Sequence, residues 1–151
     1  IRICEALKII ANNNKDKIII YPVHPNPMVQ EPVNNILSNI DNIILLEPLD
    51  YKDFIWLMNR SKLIITDSGG VQEEAPSLGK PVIVLRDTTE RPEAVEAGTV
   101  ILVGTNKKLI ISKTQDLLNN KNKYEKMSRL HNPYGDGTAS KKIVEFIKNL
   151  K

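Results

Sequence analysis

Runs of Val, Ile and Leu alternate along the chain with longer segments of helical periodicity. The apolar runs predict short buried strands over residues 17–23, 42–47, 62–66, 81–85 and 99–103. The segments between and after them predict helices over residues 29–39, 50–61, 70–79, 107–119, 122–130 and 138–150, and residues 1–10 read as the middle of a further amphipathic helix. Strands that are apolar throughout are buried on both faces, so this order predicts an α/β fold with a Rossmann-like doubly wound parallel sheet.

In such a sheet, ligands bind where the strands end at their carboxyl side. Four loops therefore carry the candidate chemistry, over residues 23–28, 47–50, 66–70 and 86–92. Two residues mark helix ends beside them. Asp50 is a predicted N-cap, and Gly79 is a predicted C-terminal stop.

Composition narrows the possible partners. The 151 residues suit one domain, and the net charge of +3 comes from scattered lysines without a basic stripe, which argues against nucleic acid. The single cysteine, Cys4, excludes an internal disulfide and favours a cytoplasmic protein. No apolar run approaches the roughly 20 residues of a membrane span, and no Cys/His cluster indicates a metal site.

The segment TDSGGVQEE, residues 66–74, joins a predicted strand to a predicted helix. Gly69 and Gly70 have no Cβ atoms, so a ligand can approach the main chain there. Ser68 adds a hydroxyl group, and the helix start offers unpaired N–H groups that suit a phosphate. A tight turn whose glycines serve only packing explains Ser-Gly-Gly equally well.

Two glutamates in the same segment receive different interpretations. Glu74 lies about one turn into the predicted helix, where a carboxylate repels a phosphate at the helix start but can accept hydrogen bonds from a ribose diol. Phosphate at the turn and ribose at Glu74 together indicate a nucleoside diphosphate. Glu73 is interpreted as an acidic residue that complements the helix dipole.

The loop RDTTERPE, residues 86–93, follows the fourth predicted strand. Arg86 and Arg91 flank two threonines, and these donors suit phosphate oxygens. The alternative is a solvated loop with internal pairs between arginine and carboxylate. His24, just after the first strand, is a candidate ligand contact or acid/base group, although a lone loop histidine is more often structural. His131 is interpreted as having no special role.

The segment TDSGGVQEEAPSLGKPVIVLRDTTERPE resembles the signature of the non-hydrolysing UDP-N-acetylglucosamine 2-epimerases. YPVHPNP, NIILLEPLDYKDFIWLM and NPYGDGTAS match other blocks of that family in the same order, so the resemblance covers the whole chain.

The resemblance implies one half of a glycosyltransferase-B-type two-domain architecture. Residues 1–151 correspond to the C-terminal, UDP-binding domain. The absent N-terminal domain accounts for a sequence that starts inside a helix, as in an excised domain or a split or truncated gene product. The last helix is expected to cross back toward the N-terminal domain, and full-length family members are expected to be homodimers.

The implied reaction interconverts UDP-N-acetylglucosamine and UDP-N-acetylmannosamine, a step of nucleotide-sugar metabolism that supplies cell-surface polysaccharide biosynthesis. UDP is eliminated to leave 2-acetamidoglucal and then adds back with the C2 proton on the other face. No coenzyme or metal is implied. The acid/base carboxylates, and a histidine-arginine motif, belong to the absent part, so no residue here is assigned as the C2 base.

The resemblance also implies a role for each candidate residue. Ser68, with the Gly69 and Gly70 main chain, holds the diphosphate. Glu74 accepts hydrogen bonds from the ribose hydroxyls, and Phe54 lies near the uracil. Arg91 neutralises the departing pyrophosphate, and Arg86 assists it.

His24 corresponds to a contact with a second, regulatory UDP-N-acetylglucosamine. The chain departs from the family there, because Pro25 replaces the usual leucine and restricts His24 toward extended geometry. Two other readings stay open. The chain could be a non-catalytic nucleotide-binding remnant, or the C-terminal domain of a glycosyltransferase of the same architecture, although RDTTERPE favours the epimerase over the latter.

Overall fold

The computed structural model describes residues 1–150. Five short strands form the sheet: β1 (Ile19–Pro22), β2 (Ile43–Leu46), β3 (Ile64–Thr66), β4 (Val82–Val84) and β5 (Val100–Leu102). The helices are α1 (Arg2–Asn13), α2 (Pro27–Leu37), α3 (Tyr51–Arg60), α4 (Gly69–Glu74), α5 (Pro92–Glu96), α6 (Lys107–Asn119), α7 (Lys121–Ser128) and α8 (Ala139–Asn149). A 3-10 turn over Ala75–Leu78 continues α4.

All strand pairs are parallel, and they form two hydrogen-bonded groups. β1 pairs with β2, and β4 lies between β3 and β5. Ile65 of β3 packs against the hydrophobic cluster beneath β1 and β2, so the two groups share a core. The register pairs Thr66 with Val84, so β3 and β4 end side by side and their following loops start together.

Helices cover both faces of the β3–β5 group. On one face, Ile83 packs with apolar residues of α1 and α6, including Ile10 and Ile110. On the other face, Val82 and Val84 pack with residues from α3, α4 and α5. Because neighbouring residues of β4 point to opposite faces and all three are fully buried, this strand is apolar without alternation.

The structure confirms the predicted α/β, Rossmann-like fold and refines its element boundaries. Each strand is shorter than the apolar run that predicts it. The helix predicted over 70–79 is instead a six-residue α-helix followed by the 3-10 turn, which contains Pro76 and ends at Gly79 with a φ of 66°. Helix α5 was not predicted, because its five residues lie inside the polar loop that follows β4.

Helix α8 stands apart from the core. None of its residues is buried, and its apolar side chains Ile143, Val144, Phe146 and Ile147 are all exposed, as is Leu150 just after it. Among the described residues, no helix is both long and apolar enough to cross a membrane.

Candidate functional site

The loops that follow β3 and β4 are joined at their start. The main-chain N–H of Leu85 donates to the carbonyl of Thr66 at 2.8 Å, and Arg86 Nε donates to the carbonyl of Asp67 at 2.6 Å. Arg86 therefore braces the turn before Ser68. The structure brings the two predicted anion-binding loops together, as the order of the strands requires.

Arg91 reaches across from the second loop to the first. Its guanidinium carbon lies 2.8 Å from the place where a Cβ atom of residue 69 would stand. Gly69 therefore leaves room for the guanidinium group at the start of α4. This close approach explains the first glycine by packing rather than by an unusual backbone, because neither Gly69 nor Gly70 has a positive φ.

The Ser68 hydroxyl and Gly70 remain open beside that guanidinium group. Ser68 is the N-cap residue of α4, yet its side chain makes no capping hydrogen bond within residues 1–150. A Cβ atom on Gly70 would meet no described atom within 4 Å. A donor hydroxyl, open main chain and a guanidinium group thus adjoin one another, as an anion site requires.

Gly70→Ala tests whether a ligand occupies this open space. Alanine is the better helix former, so we expect the free energy of unfolding to stay the same or rise by up to about 1 kcal/mol. If a diphosphate contacts the main chain, the new methyl group obstructs it, and we expect UDP affinity to fall by about tenfold or more, since lost hydrogen bonds to a charged group have that scale. Calorimetric titration measures the UDP affinity of the variant, and urea denaturation measures its free energy of unfolding. Unchanged UDP affinity would contradict a contact between the diphosphate and the main chain at Gly70.

Gln72 forms hydrogen bonds to both loops. It is fully buried. Its Nε2 donates to the carbonyl of Ser68 at 3.2 Å, and its Oε1 accepts from Thr89 Oγ1 at 2.8 Å. Neither Gln72 nor Thr89 was a predicted site residue. Their hydrogen bond joins segments 17 residues apart, a tertiary contact for which the hydrophobic pattern gives no signal.

Glu73 does not complement a helix dipole, contrary to the prediction. It lies at the fifth position of a six-residue helix, outside its first turn. Its Oε1 instead accepts from Arg91 Nε at 2.5 Å, and this hydrogen bond raises the pKa of Arg91. The predicted helix started at Gly70, one residue too late, and this placed Glu73 in its first turn.

Glu74 lines an open cavity of about 350 Å³. It is half-buried and makes no ion pair with any residue from 1 to 150, whereas its neighbour Glu73 pairs with Arg91. The cavity is lined by α3 residues, by the end of α4 with its 3-10 turn, and by the NPYGDG turn. A carboxylate that is unpaired among the described residues faces it, which suits the predicted contact with hydroxyl groups.

The NPYGDG turn, residues 132–137, is a part of this site that the sequence did not indicate. Asn132 is buried, and its Nδ2 donates to the carbonyl of Glu73 at 2.9 Å and to the Ser77 hydroxyl. Tyr134 and Gly135 then form one wall of the cavity. The two glycines at positions 135 and 137, both with positive φ, were the available signal.

Two predicted residues lie apart from this constellation. Phe54 packs, half-buried, against the core cluster that contains Val71 and does not line the cavity, whereas Tyr51 and Ile55 do. His24 is exposed after β1, and its Nδ1 accepts from the main-chain N–H of Asn26 at 3.2 Å. No hydrogen bond or ion pair joins His24 to the loops of β3 and β4 within the described residues.

The two arginines also have a shared internal partner. Glu90 Oε2 lies 3.2 Å from both Arg86 Nη1 and Arg91 Nη1. The side chain of Glu90 is 73% exposed, so these pairs are solvent-screened and weak. The arginine–carboxylate pairs expected of a solvated loop are therefore present. They nevertheless leave the Arg91 guanidinium group in place over Gly69.

The site as a whole can hold an anion beside a hydroxyl-bearing group. Its charged donors face an open turn, and its unpaired carboxylate faces the neighbouring cavity. Residues 1–150 hold no group of three or more His, Cys, Asp or Glu side chains arranged to bind a metal ion.

Comparison with known proteins gives a consistent match. The family model described as UDP-N-acetylglucosamine 2-epimerase matches residues 1–148. UDP-N-acetylglucosamine 2-epimerases of Escherichia coli K12 and Campylobacter jejuni are 60% and 61% identical to this chain over 147 residues, which is 97% of the chain. The chain spans only 39% and 38% of those two proteins.

Solved structures agree with the sequence comparison. The UDP-GlcNAc 2-epimerase of Neisseria meningitidis bound to UDP-GlcNAc has a TM-score of 0.93 at 49% identity, with 97% of this chain and 40% of that chain covered. The Methanocaldococcus jannaschii enzyme in complex with UDP-GlcNAc and UDP has a TM-score of 0.81 at 39% identity, with the same coverage. These matches confirm the resemblance noted from the sequence, and the coverage fits a C-terminal domain. The chain belongs to the UDP-N-acetylglucosamine 2-epimerase family.

Proposed function

We propose that this chain is the UDP-binding half of a non-hydrolysing UDP-N-acetylglucosamine 2-epimerase. The observation that carries the proposal is the Arg91 guanidinium group held over Gly69, beside the open Ser68 hydroxyl and the open face of Gly70. Membership of the family supports it, as do relatives whose structures contain UDP-GlcNAc or UDP.

The proposed roles follow the geometry. Ser68, the main chain at Gly69 and Gly70, and Arg91 bind the diphosphate. Arg86 supports them by bracing the carbonyl of Asp67. These groups are fixed donors that meet the charge developing on the departing UDP, which is the form of electrostatic stabilisation that accelerates such a step.

The nucleoside end of UDP is assigned to the adjoining cavity. Glu74 accepts hydrogen bonds from the ribose hydroxyls, and the uracil lies toward α3. Phe54 supports that helix from the core side, and the cavity-facing residues are Tyr51 and Ile55. His24 is proposed, as before, to contact a second, regulatory UDP-N-acetylglucosamine.

The proposed reaction breaks the bond between the sugar C1 and UDP as the C2 proton leaves, then reverses both changes with the proton on the other face. The enzyme has to retain UDP between the two steps, which is the task of this half. The acid/base carboxylates are assigned to the remaining part of the full-length protein. The chain alone is therefore proposed to bind UDP without turnover.

The uncovered stripe of α8 supports a second domain in the working protein. Five exposed apolar residues on and just after one helix have no cover within the described chain, and the relatives are more than twice as long. We propose that the N-terminal domain covers this stripe, and that the full-length protein is a cytoplasmic homodimer. The product would supply cell-surface polysaccharide synthesis.

Proton NMR of UDP-N-acetylglucosamine in D2O, with the purified chain, tests the function. We expect broadened uridine signals and no deuterium at C2. Adding a separately expressed N-terminal half is expected to start exchange at C2 with the appearance of mannosamine signals. Exchange with the chain alone would place the C2 base in these residues. Absence of both broadening and exchange would favour a non-catalytic remnant.

Glu74→Ala tests the ribose assignment. We expect the free energy of UDP binding to become less favourable by about 1–3 kcal/mol, the usual contribution of hydrogen bonds to a charged group. Affinity for inorganic pyrophosphate is expected to stay the same or rise, because the diphosphate contacts are intact and a carboxylate that repels phosphate is removed. Glu96→Ala, at an exposed glutamate of α5, is the control for the loss of one negative charge. Unchanged UDP affinity in Glu74→Ala would contradict the assignment.

The alternative function is that of the C-terminal domain of a glycosyltransferase, which has the same two-domain architecture. The discriminating feature is the second loop, in which Arg91 is fixed by Glu73 and by the loop that follows β3. Transfer of the sugar to an acceptor, without C2 exchange in the reconstituted protein, would favour that alternative.

A further inference from the structure

Gln72 is a buried polar side chain whose side-chain hydrogen bonds, within residues 1–150, both go to the two proposed anion-binding loops. A buried amide is costly unless it is hydrogen-bonded, and an apolar side chain would fill this position at lower cost. Gln72 is nevertheless fully buried, on the face of α4 that packs under the loop of residues 86–91. The hydrogen-bond partners of the side chain therefore indicate its function.

The hydrogen bonds of Gln72 form a continuous path from Ser68 to Arg91. Nε2 donates to the Ser68 carbonyl, and Oε1 accepts the Thr89 hydroxyl proton at 2.8 Å. Thr89 Oγ1 in turn accepts the main-chain N–H of Arg91 at 3.1 Å. The Thr89 hydroxyl is thus used as both donor and acceptor, and its orientation depends on Gln72.

The next residue of α4 fixes the other end of Arg91. Glu73 Oε1 accepts from Arg91 Nε. Two consecutive side chains of one short helix therefore hold Arg91, one through its main chain and one through its guanidinium group. Helix α4 starts at Gly69, so any movement of its N-terminal end would carry Ser68 and Arg91 together.

We propose that Gln72 is a positioning residue that couples the loop of Ser68 to the loop of Arg91, so that both bind the diphosphate as one preformed site. The inference rests on the proposed function for the identity of the ligand. It predicts that Gln72 controls the affinity for the diphosphate part of UDP and has little influence on the nucleoside part. Preorganised groups bind more tightly because less ordering is required on binding.

The two polar ends of the side chain are both required. Gln72→Leu fills the volume but removes the acceptor for Thr89 and one donor to the Ser68 carbonyl. Thr89→Val breaks the same path from the other end, at a half-buried loop position where the fold is not at risk. Thr89→Ser retains the hydroxyl group and is the conservative rescue.

The test compares UDP, inorganic pyrophosphate and uridine binding by calorimetry for these three variants. Gln72→Leu and Thr89→Val are each expected to weaken UDP and pyrophosphate by about tenfold, on the scale of an unsatisfied buried polar group, and uridine by less than about twofold. Thr89→Ser is expected to bind like the original chain. The double variant Gln72→Leu, Thr89→Val is expected to lose no more than either single variant, since both break one path. Thr114→Val, which removes a buried hydroxyl of α6, is the control for general destabilisation.

Hydrogen exchange of the Arg91 main-chain N–H, measured by NMR without ligand, separates this inference from the proposed function. Exchange at Arg91 is expected to be slow in the original chain and in Thr89→Ser, and faster in Gln72→Leu and Thr89→Val. If the original chain binds neither UDP nor pyrophosphate, the proposed function fails and the exchange alone decides the coupling. Unchanged exchange, equal losses for uridine and UDP, or additive losses in the double variant would each overturn the inference.

Discussion

Arg91→Ala is expected to weaken UDP binding by about 10- to 100-fold, the range set by one or two charge-assisted hydrogen bonds. The loss follows from the position of the guanidinium group, which covers Gly69 at the start of α4 and is only 27% exposed. Truncation also leaves Glu73 without its partner, so a carboxylate then faces the anion. Uridine lacks the phosphates, and its affinity is expected to change little. Titration of both ligands checks the prediction.

Two comparisons make the Arg91 result specific. Arg129→Ala removes the same charge from a side chain that is 77% exposed and pairs only with Glu125, so it controls for net charge. Arg91→Lys keeps the charge but loses the planar fork that binds Glu73 and is proposed to bind phosphate at the same time, and we expect an intermediate loss. Equal losses of UDP and uridine affinity would move Arg91 away from the phosphates.

Asn42→Ala is expected to lower the free energy of unfolding by about 1–3 kcal/mol, because it removes the hydrogen bonds of a buried amide and takes from the Lys17 carbonyl its partner on that amide, while the carbonyls of Ala11 and Asn14 keep main-chain partners. Asn42 Nδ2 lies 2.9, 3.1 and 2.9 Å from the carbonyl oxygens of Ala11, Asn14 and Lys17, and its two hydrogens are shared among these three acceptors. The side chain is buried, so water does not replace these bonds readily. It joins the end of α1 to the start of the β1–β2 pair, far from the anion-binding loops.

Urea denaturation followed by circular dichroism measures the Asn42 effect. The slope with denaturant concentration is expected to stay constant, since the same surface is exposed on unfolding. Asn39→Ala, at an exposed asparagine after α2, is the control and is expected to change stability by less than about 0.5 kcal/mol. A loss below about 1 kcal/mol in Asn42→Ala would show that the remaining main-chain hydrogen bonds suffice and that the Lys17 carbonyl finds another partner.

The sequence predicts the positions of the binding loops well, because they depend on strand order alone. Apolar runs locate β3 and β4, and parallel neighbours end at the same edge of a sheet. Ser68 and Arg91 are thus brought together by the topology without any knowledge of side-chain contacts. Gly79 and Asp50 also keep their predicted roles at helix ends, since both roles are local.

The interpretation of the glutamates depends on a boundary that the sequence did not locate. Neighbouring residues of an α-helix point about 100° apart, so the length and start of the helix decide which glutamate faces which loop. The 3-10 turn at Ala75–Leu78 ends α4 early. At the other end, α4 starts at Gly69, so Glu73 is its fifth residue and pairs with Arg91 instead of complementing the helix dipole. Glu73 and Glu74 both line the cavity, and Glu74 is the one that makes no ion pair within residues 1–150.

Contacts between distant segments were the least predictable part of the site. Asn132 reaches the carbonyl of Glu73 across 59 positions of the chain, and Gln72 reaches Thr89 across 17. Such contacts depend on tertiary packing, for which neither periodicity nor composition gives a signal. The side-chain roles assigned to Phe54 and His24 rest on the family resemblance, and both residues lie outside the loops that topology joins.

The exposed stripe of α8 has a consequence for local stability. An eleven-residue helix is marginal in water by itself, because helix nucleation is costly and few turns compensate for it. With no buried residue, α8 gains little from the rest of this chain, so its amide hydrogens should exchange with solvent faster than those of α1 or α6. Covering Phe146 and its neighbours would couple their burial to helix formation. The amide protection of α8 would then report, residue by residue, whether the proposed N-terminal domain is docked on it.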